Sequence, residues 1–181
     1  MQTCVGLSAM VQFKLAFDQS LILKFAALYS HRADRDALKA GEDISRGRCT
    51  RKNLGRIFNW KTKGRGRSRL TKNTDKEIAD VLKLAITART DRAAIAVLTG
   101  LNGVNIPVAS AILTAIDPKR FTIIDFRALE ALNQRKSALN INYYLEYLDF
   151  CKLLARKNRV TLRTLDRAFW QWSKENSKKL R

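Results

Sequence analysis

The chain has 181 residues, 35 of them Lys or Arg and 16 Asp or Glu, for a formal charge of +19. Its apolar fraction of 46%, with 2 Pro and 8 Gly, is that of a chain that buries a core and excludes a disordered basic tail. Three dispersed cysteines, Cys4, Cys49 and Cys151, and one histidine, His31, leave zinc, a cysteine-ligated iron–sulfur cluster and a disulfide framework poorly supported.

The N-terminal apolar stretch is interrupted by Lys14, Asp18 and Lys24, so no run reaches the roughly 20 residues of a membrane helix, and no secretory signal is recognisable. A reducing, cytoplasmic and nucleoid-associated location is expected, and a polyanion is the expected partner of so basic a chain.

From Arg46 to Lys72 there are eleven basic residues and no acidic one: Arg46, Arg48, Arg51, Lys52, Arg56, Lys61, Lys63, Arg65, Arg67, Arg69 and Lys72. Thr50 to Lys61 reads as a short helix carrying Leu54, Ile57, Phe58 and Trp60. Lys63 to Arg67 reads as a glycine-rich mobile loop able to follow a phosphate backbone. A solvated face is the plain alternative, but crowding like charges costs self-repulsion that a polyanion would relieve.

Thr74 with Glu77 forms a capping box before Ile78, Val81 and Leu82, and Thr90, Asn142 and Thr161 precede further helical patterns. Apolar spacings of three and four in Leu145, Leu148, Cys151, Leu154 and in Leu162, Leu165, Phe169, Trp172 predict an all-α chain of eight or nine helices. Thr90 begins a helix ending near Gly100, a turn spans Asn102 to Asn105, and Pro107 opens the next helix. Gly103 would let backbone approach a ligand, and Asn105 tolerates left-handed φ. Amides of Gly103, Asn105 and Val108 would face outward as an anion site. Asp117-Pro118 makes a turn, Phe121 to Ile124 is a short apolar run, and Asp125 stands at the N-cap of a helix from Phe126 to Leu132.

Leu101, Gly103, Val104 and Ala109, followed by Ile124-Asp125 with Arg127, resemble the helix-hairpin-helix superfamily of base-excision DNA glycosylases over residues 98–132. Asn105 replaces the hairpin's second glycine. The resemblance implies two helical lobes around a cleft in one compact domain over 1–181, and a double-stranded DNA partner with one nucleotide flipped out. It also implies Asp125 as the catalytic carboxylate, and a monovalent cation (K+ or Na+) on the carbonyls of Thr99, Leu101 and Val104, with no other cofactor required. Family members that also cut the strand carry a hairpin lysine where this chain has Pro107, so the expected reaction is hydrolysis alone.

DNA contacts are expected from the hairpin amides, from Arg46, Arg48, Arg51, Lys52, Lys61, Lys63, Arg65, Arg67 and Arg69, from Arg127, and from Lys119 and Arg120 near the hairpin. Trp60, Phe126 and Trp170 are the candidate walls for an extruded base, while Phe58 and Trp172 fit core stripes. Asp149 and Asp166 read as solvated or surface-paired, Glu130 as an alternative carboxylate, His31 as structural, and Lys174 to Arg181 as a fraying basic end. A monomer is expected. A non-catalytic hairpin module or an RNA-binding protein would share the charge, and release of free base separates the first from an enzyme. Competition between duplex DNA and RNA separates the second.

Overall fold

The computed structural model describes residues 11–134 and 139–177. Cys4 and the last basic residues, 178–181, lie outside them. Among the described residues every regular element is helical. In chain order they are α1 (Ile22–Ala27), α2 (Arg35–Ser45), α3 (Arg51–Thr62), α4 (Arg67–Leu70), α5 (Asp75–Thr87), α6 (Asp91–Thr99), α7 (Ile106–Ile116), α8 (Phe126–Ala131), α9 (Ile141–Lys157) and α10 (Leu162–Asn176), with short 3-10 turns at Gln19–Leu21 and His31–Ala33. These ten α-helices exceed the eight or nine expected, and α4, four residues long, is too short to show a periodicity.

The caps expected at Thr90 and Thr161 form, each accepting an N–H of the following first turn, and Thr74 and Glu77 close the capping box in both directions; Thr50, read as the first residue of its helix, is the N-cap of α3. The cap of α9 is Asn140 rather than Asn142, its side chain accepting from Tyr143 N–H.

Helix α7 is the centre of the packing. Nine of its residues are buried, so it presents no polar face, as an interior helix must. Helices α2, α3 and α6 pack on it, and α5 covers α6. Where α2 crosses α7 the backbones nearly touch: a Cβ added to Gly41 would lie 2.0 Å from the carbonyl oxygen of Ala115, so the crossing requires glycine. A second group forms around α10, which packs against α1, α8 and α9, while α6 touches α9.

Between α7 and α8 the chain runs extended through Phe121 to Ile124, all four buried and without a neighbouring strand. Three of its backbone polar groups are satisfied by side chains. Ser110 Oγ, on α7, accepts the Ile124 N–H at 3.1 Å, and from α9 the hydroxyls of Tyr144 and Tyr147 donate to the carbonyls of Thr122 (3.2 Å) and Ile123 (2.7 Å). This clamp fixes the chain immediately before Asp125.

Candidate functional site

Asp125 sits where this extended run turns into α8. Its φ of −157° is extended backbone, and its Oδ1 accepts the N–H groups of Arg127 (3.0 Å) and Ala128 (3.1 Å). Oδ2 is left for a different partner: Lys61 Nζ, from the last turn of α3, donates to it at 2.6 Å. The Lys61 and Asp125 side chains are 13% and 22% exposed, so the pair is screened from solvent yet reachable. Burial acts to raise the Asp125 carboxyl, but the charge and hydrogen bond of Lys61, with the two backbone N–H groups, outweigh it and hold the group below the ordinary carboxylate value. Asp125 is therefore an ionised, immobilised anion at neutral pH.

The pair opens into a pocket of about 210 Å³. Its walls are Tyr29 from the turn after α1, Trp60 beside Lys61, and Trp170 from α10, with Arg163, Asp166 and Gln171 of α10 completing it. Tyr29 and Trp170 meet edge to face at 5.3 Å. The pocket thus lies between α3 and α10, which belong to the two groups of helices. Trp60 and Trp170 line it as expected; Phe126 does not, standing 54% exposed on the surface with the Arg127 guanidinium 5.0 Å from its ring. A larger hollow of about 760 Å³ lies between α2, α7, α9 and α10, but it is mostly apolar and its acid, Glu42, is paired with Arg46.

Behind the pocket is a buried ion network that sequence reasoning missed. Asp34, 1% exposed, pairs with both Arg163 and Arg167, and Arg163 also pairs with Asp166. Asp166 is accordingly buried and bound to Arg163, not surface-paired with its neighbour. The spacing from Asp34 to Arg163 gives no local signal.

The turn between α6 and α7 differs from the sequence reading in its details. Gly103 has φ +85°, but the backbone it lets approach is the chain's own: an added Cβ would lie 3.1 Å from Leu70 N and 3.2 Å from Arg69 Cβ. Asn105 is extended, with φ −96°, and works as the N-cap of α7, its Oδ1 accepting the Val108 N–H at 3.2 Å. That amide is consequently not free. Those of Gly103 and Asn105 carry no hydrogen bond among the described residues.

The carbonyls of Thr99 and Val104 accept none there either, while Leu101 accepts one, from Val104 N–H at 3.1 Å. Two open carbonyls and one with a spare lone pair fit a hard monovalent cation. Asn73, 4% exposed, fastens this turn to the basic segment: its Nδ2 donates to the carbonyls of Leu70 (2.9 Å) and Asn102 (3.1 Å), and its Oδ1 accepts the Asn102 N–H at 2.8 Å.

The basic segment divides in two. Arg46, Arg48, Arg51 and Arg56 are paired with Glu42, Asp43, Asp75 and Asp36, and Lys61 with Asp125, so self-repulsion is relieved there from within the protein. Lys52, Lys63, Arg65, Arg67, Arg69 and Lys72 are exposed and form no ion pair among the described residues. Five of these six fall between Lys63 and Lys72, where left-handed Lys63, Gly64 and Gly66 shape a defined turn into α4 in place of the expected loose loop. Arg127 is engaged with α10, donating to Ser173 Oγ at 3.2 Å with its guanidinium 5.0 Å from the Trp170 ring, and Arg120 is held by Asp91 and the Ala88 carbonyl. Glu130 accepts from Ser173 and Ser177.

Comparison with protein-family models, with curated proteins and with solved structures returns no match. Among the described residues no helix is long and apolar enough to cross a membrane.

Proposed function

We propose that this chain is a DNA glycosylase that releases a damaged or modified base from duplex DNA. The observation that carries the reading is a carboxylate held ionised by Lys61 and two backbone amides at the wall of an aromatic-lined pocket. In this reading the two groups of helices are lobes around the pocket, α6 and α7 are a helix-hairpin-helix, and DNA lies across the hairpin and the free cations from Lys63 to Lys72. The open carbonyls and amides of the α6–α7 turn would bridge a phosphate through a monovalent cation, positioning the strand without reading sequence.

Breaking a glycosidic bond develops positive charge on the sugar, and a fixed anion close to C1′ lowers that barrier. A nucleotide swung into the pocket brings its base against Trp60 and Trp170 and its sugar toward Asp125. Asp125 then stabilises the cationic sugar and orients the water that closes C1′. Lys61 must yield its place on Oδ2 as the sugar arrives, and its ammonium comes to lie beside the departing base.

The Lys61–Asp125 contact favours a second reading, in which the Lys61 amine takes the place of water at C1′ and forms an imine that leads to strand cleavage. Pro107 removes the hairpin lysine, but Lys61 reaches the same carboxylate from α3.

Single-turnover base release with borohydride present tests both. Wild-type protein is expected to release free base, and Asp125→Asn to lose about 10²–10³-fold or more in rate while keeping the cap, the fold and duplex affinity. Unchanged release by Asp125→Asn overturns the proposal. A borohydride-trapped protein–DNA adduct lost in Lys61→Arg selects the amine route, and release without an adduct selects water.

A further inference from the structure

Every aromatic wall of the Asp125 pocket is already engaged by a cation of the protein. The guanidinium of Arg163 lies 5.5 Å from the ring centre of Trp60 and 5.7 Å from that of Tyr29. Arg167 is 5.6 Å from Tyr29. On Trp170 the cations are Arg127 at 5.0 Å and Lys174 at 5.3 Å. Each of the three rings by which an aromatic cage would hold a cation therefore already carries one, and a second positive charge brought to these rings meets the first. The pocket's charges point the same way. Four cationic side chains line it against two carboxylates, and pairing Asp125 with Lys61 and Asp166 with Arg163 leaves Lys63 and Lys174 as its net positive charge.

We propose that this pocket takes neutral oxidised or deaminated bases, which depart carrying negative charge, and turns away bases with a formal positive charge such as N-alkylated purines. The inference rests on the glycosylase reading and specifies its substrate class. The C1′–N bond breaks with its electron pair passing to the base nitrogen. An alkylpurinium then leaves as a neutral molecule and gains nothing from nearby cations. A neutral base leaves as an anion, which Lys61, once released from Oδ2, and Lys63 and Lys174, the pocket's net positive charge, stabilise until a proton from the Lys61 ammonium or solvent neutralises it; water adds to C1′ and gives up its proton to Asp125 or solvent. The same cations that repel an alkylpurinium in the ground state thus lower the barrier for a neutral base.

The test is single-turnover release, followed by mass spectrometry, from duplexes carrying uracil, hypoxanthine or 8-oxoguanine, and from duplexes carrying 7-methylguanine or 3-methyladenine. Rates are divided by the spontaneous loss of each base. At least one neutral base is expected to exceed both alkylpurines by tenfold or more. Lys174→Glu, a change at an exposed side chain beside Trp170, is expected to shift that ratio several-fold toward the alkylpurines. A preference for alkylpurines in the wild-type protein, or a ratio untouched in Lys174→Glu, overturns the inference and leaves the glycosylase reading standing. Release of no base at all, by protein that still binds duplex DNA, overturns that reading and the inference with it.

Discussion

Lys61 governs Asp125 as much as the helix cap does. Of the influences on the carboxyl, burial is the largest and acts upward, and the Lys61 charge is the first of those opposing it. With Lys61→Ala the balance moves toward burial and the carboxyl rises. A carboxylate whose folded value is depressed contributes stability above its unfolded value and loses it as pH falls through the folded value. The variant forfeits that stability, and its Asp125 anion is protonated sooner on acidification. The acid limb of base release is thus expected at higher pH in Lys61→Ala than in wild type, checked by single-turnover rates between pH 4 and 8. Loss of release at every pH would favour the amine route instead. The N-cap role of Asp125 was legible in the sequence, since aspartate before an apolar helical run is a local signal. Its partner was not: Lys61 stood out only as one basic residue among eleven, and 64 residues separate it from the acid it binds.

At the level of elements, helix boundaries were readable wherever a cap or a proline marks them, as for α3, α5, α6, α7 and α10. The contacts that join elements were not. Asn73 has an ordinary turn context, yet it makes the buried bonds that hold the α6–α7 turn against Leu70. Asn73→Ala leaves the Asn102 N–H and carbonyl without partners, while the Leu70 carbonyl keeps the residue-73 backbone N–H, and a loss of about 1–3 kcal/mol is expected in chemical denaturation, with weaker duplex binding as the turn loosens. Gly103 illustrates the same limit. Its need for glycine could be inferred from the turn, but the close neighbour proved to be α4 and not a ligand, because the return of α4 onto the turn is a tertiary event.

At the scale of the molecule, a charge of +19 signals a polyanion partner without saying where it binds. Pairing inside the protein withdraws Arg46, Arg48, Arg51 and Arg56 and leaves the density of free cations on the turn and helix from Lys63 to Lys72. The triple variant Arg65→Ser, Arg67→Ser, Arg69→Ser is expected to reduce the slope of log K against log salt for duplex binding by about 2–3. Arg46→Ser, which removes a charge already matched by Glu42, is expected to change it by less than about one. Equal effects from the two would place the strand elsewhere on the surface. Two of these pairs are local, Arg46 with Glu42 four residues away and Arg48 with Asp43 five away, whereas Arg51 and Arg56 reach Asp75 and Asp36 only after α5 and α2 have packed on α3.

The side-chain clamp on residues 121–124 separates two jobs that are often tangled in one loop. The anion's position is set from α7 and α9, through one serine and two tyrosine hydroxyls, and none of those three residues lines the pocket. Apart from Ile123 and Asp125, the pocket's walls come from the turn after α1, from α3 and its C-cap, and from α10. The shape of the recess can be redrawn, residue by residue, by lineages or by design, while the chemistry it serves stays anchored to a frame that the redrawing does not touch.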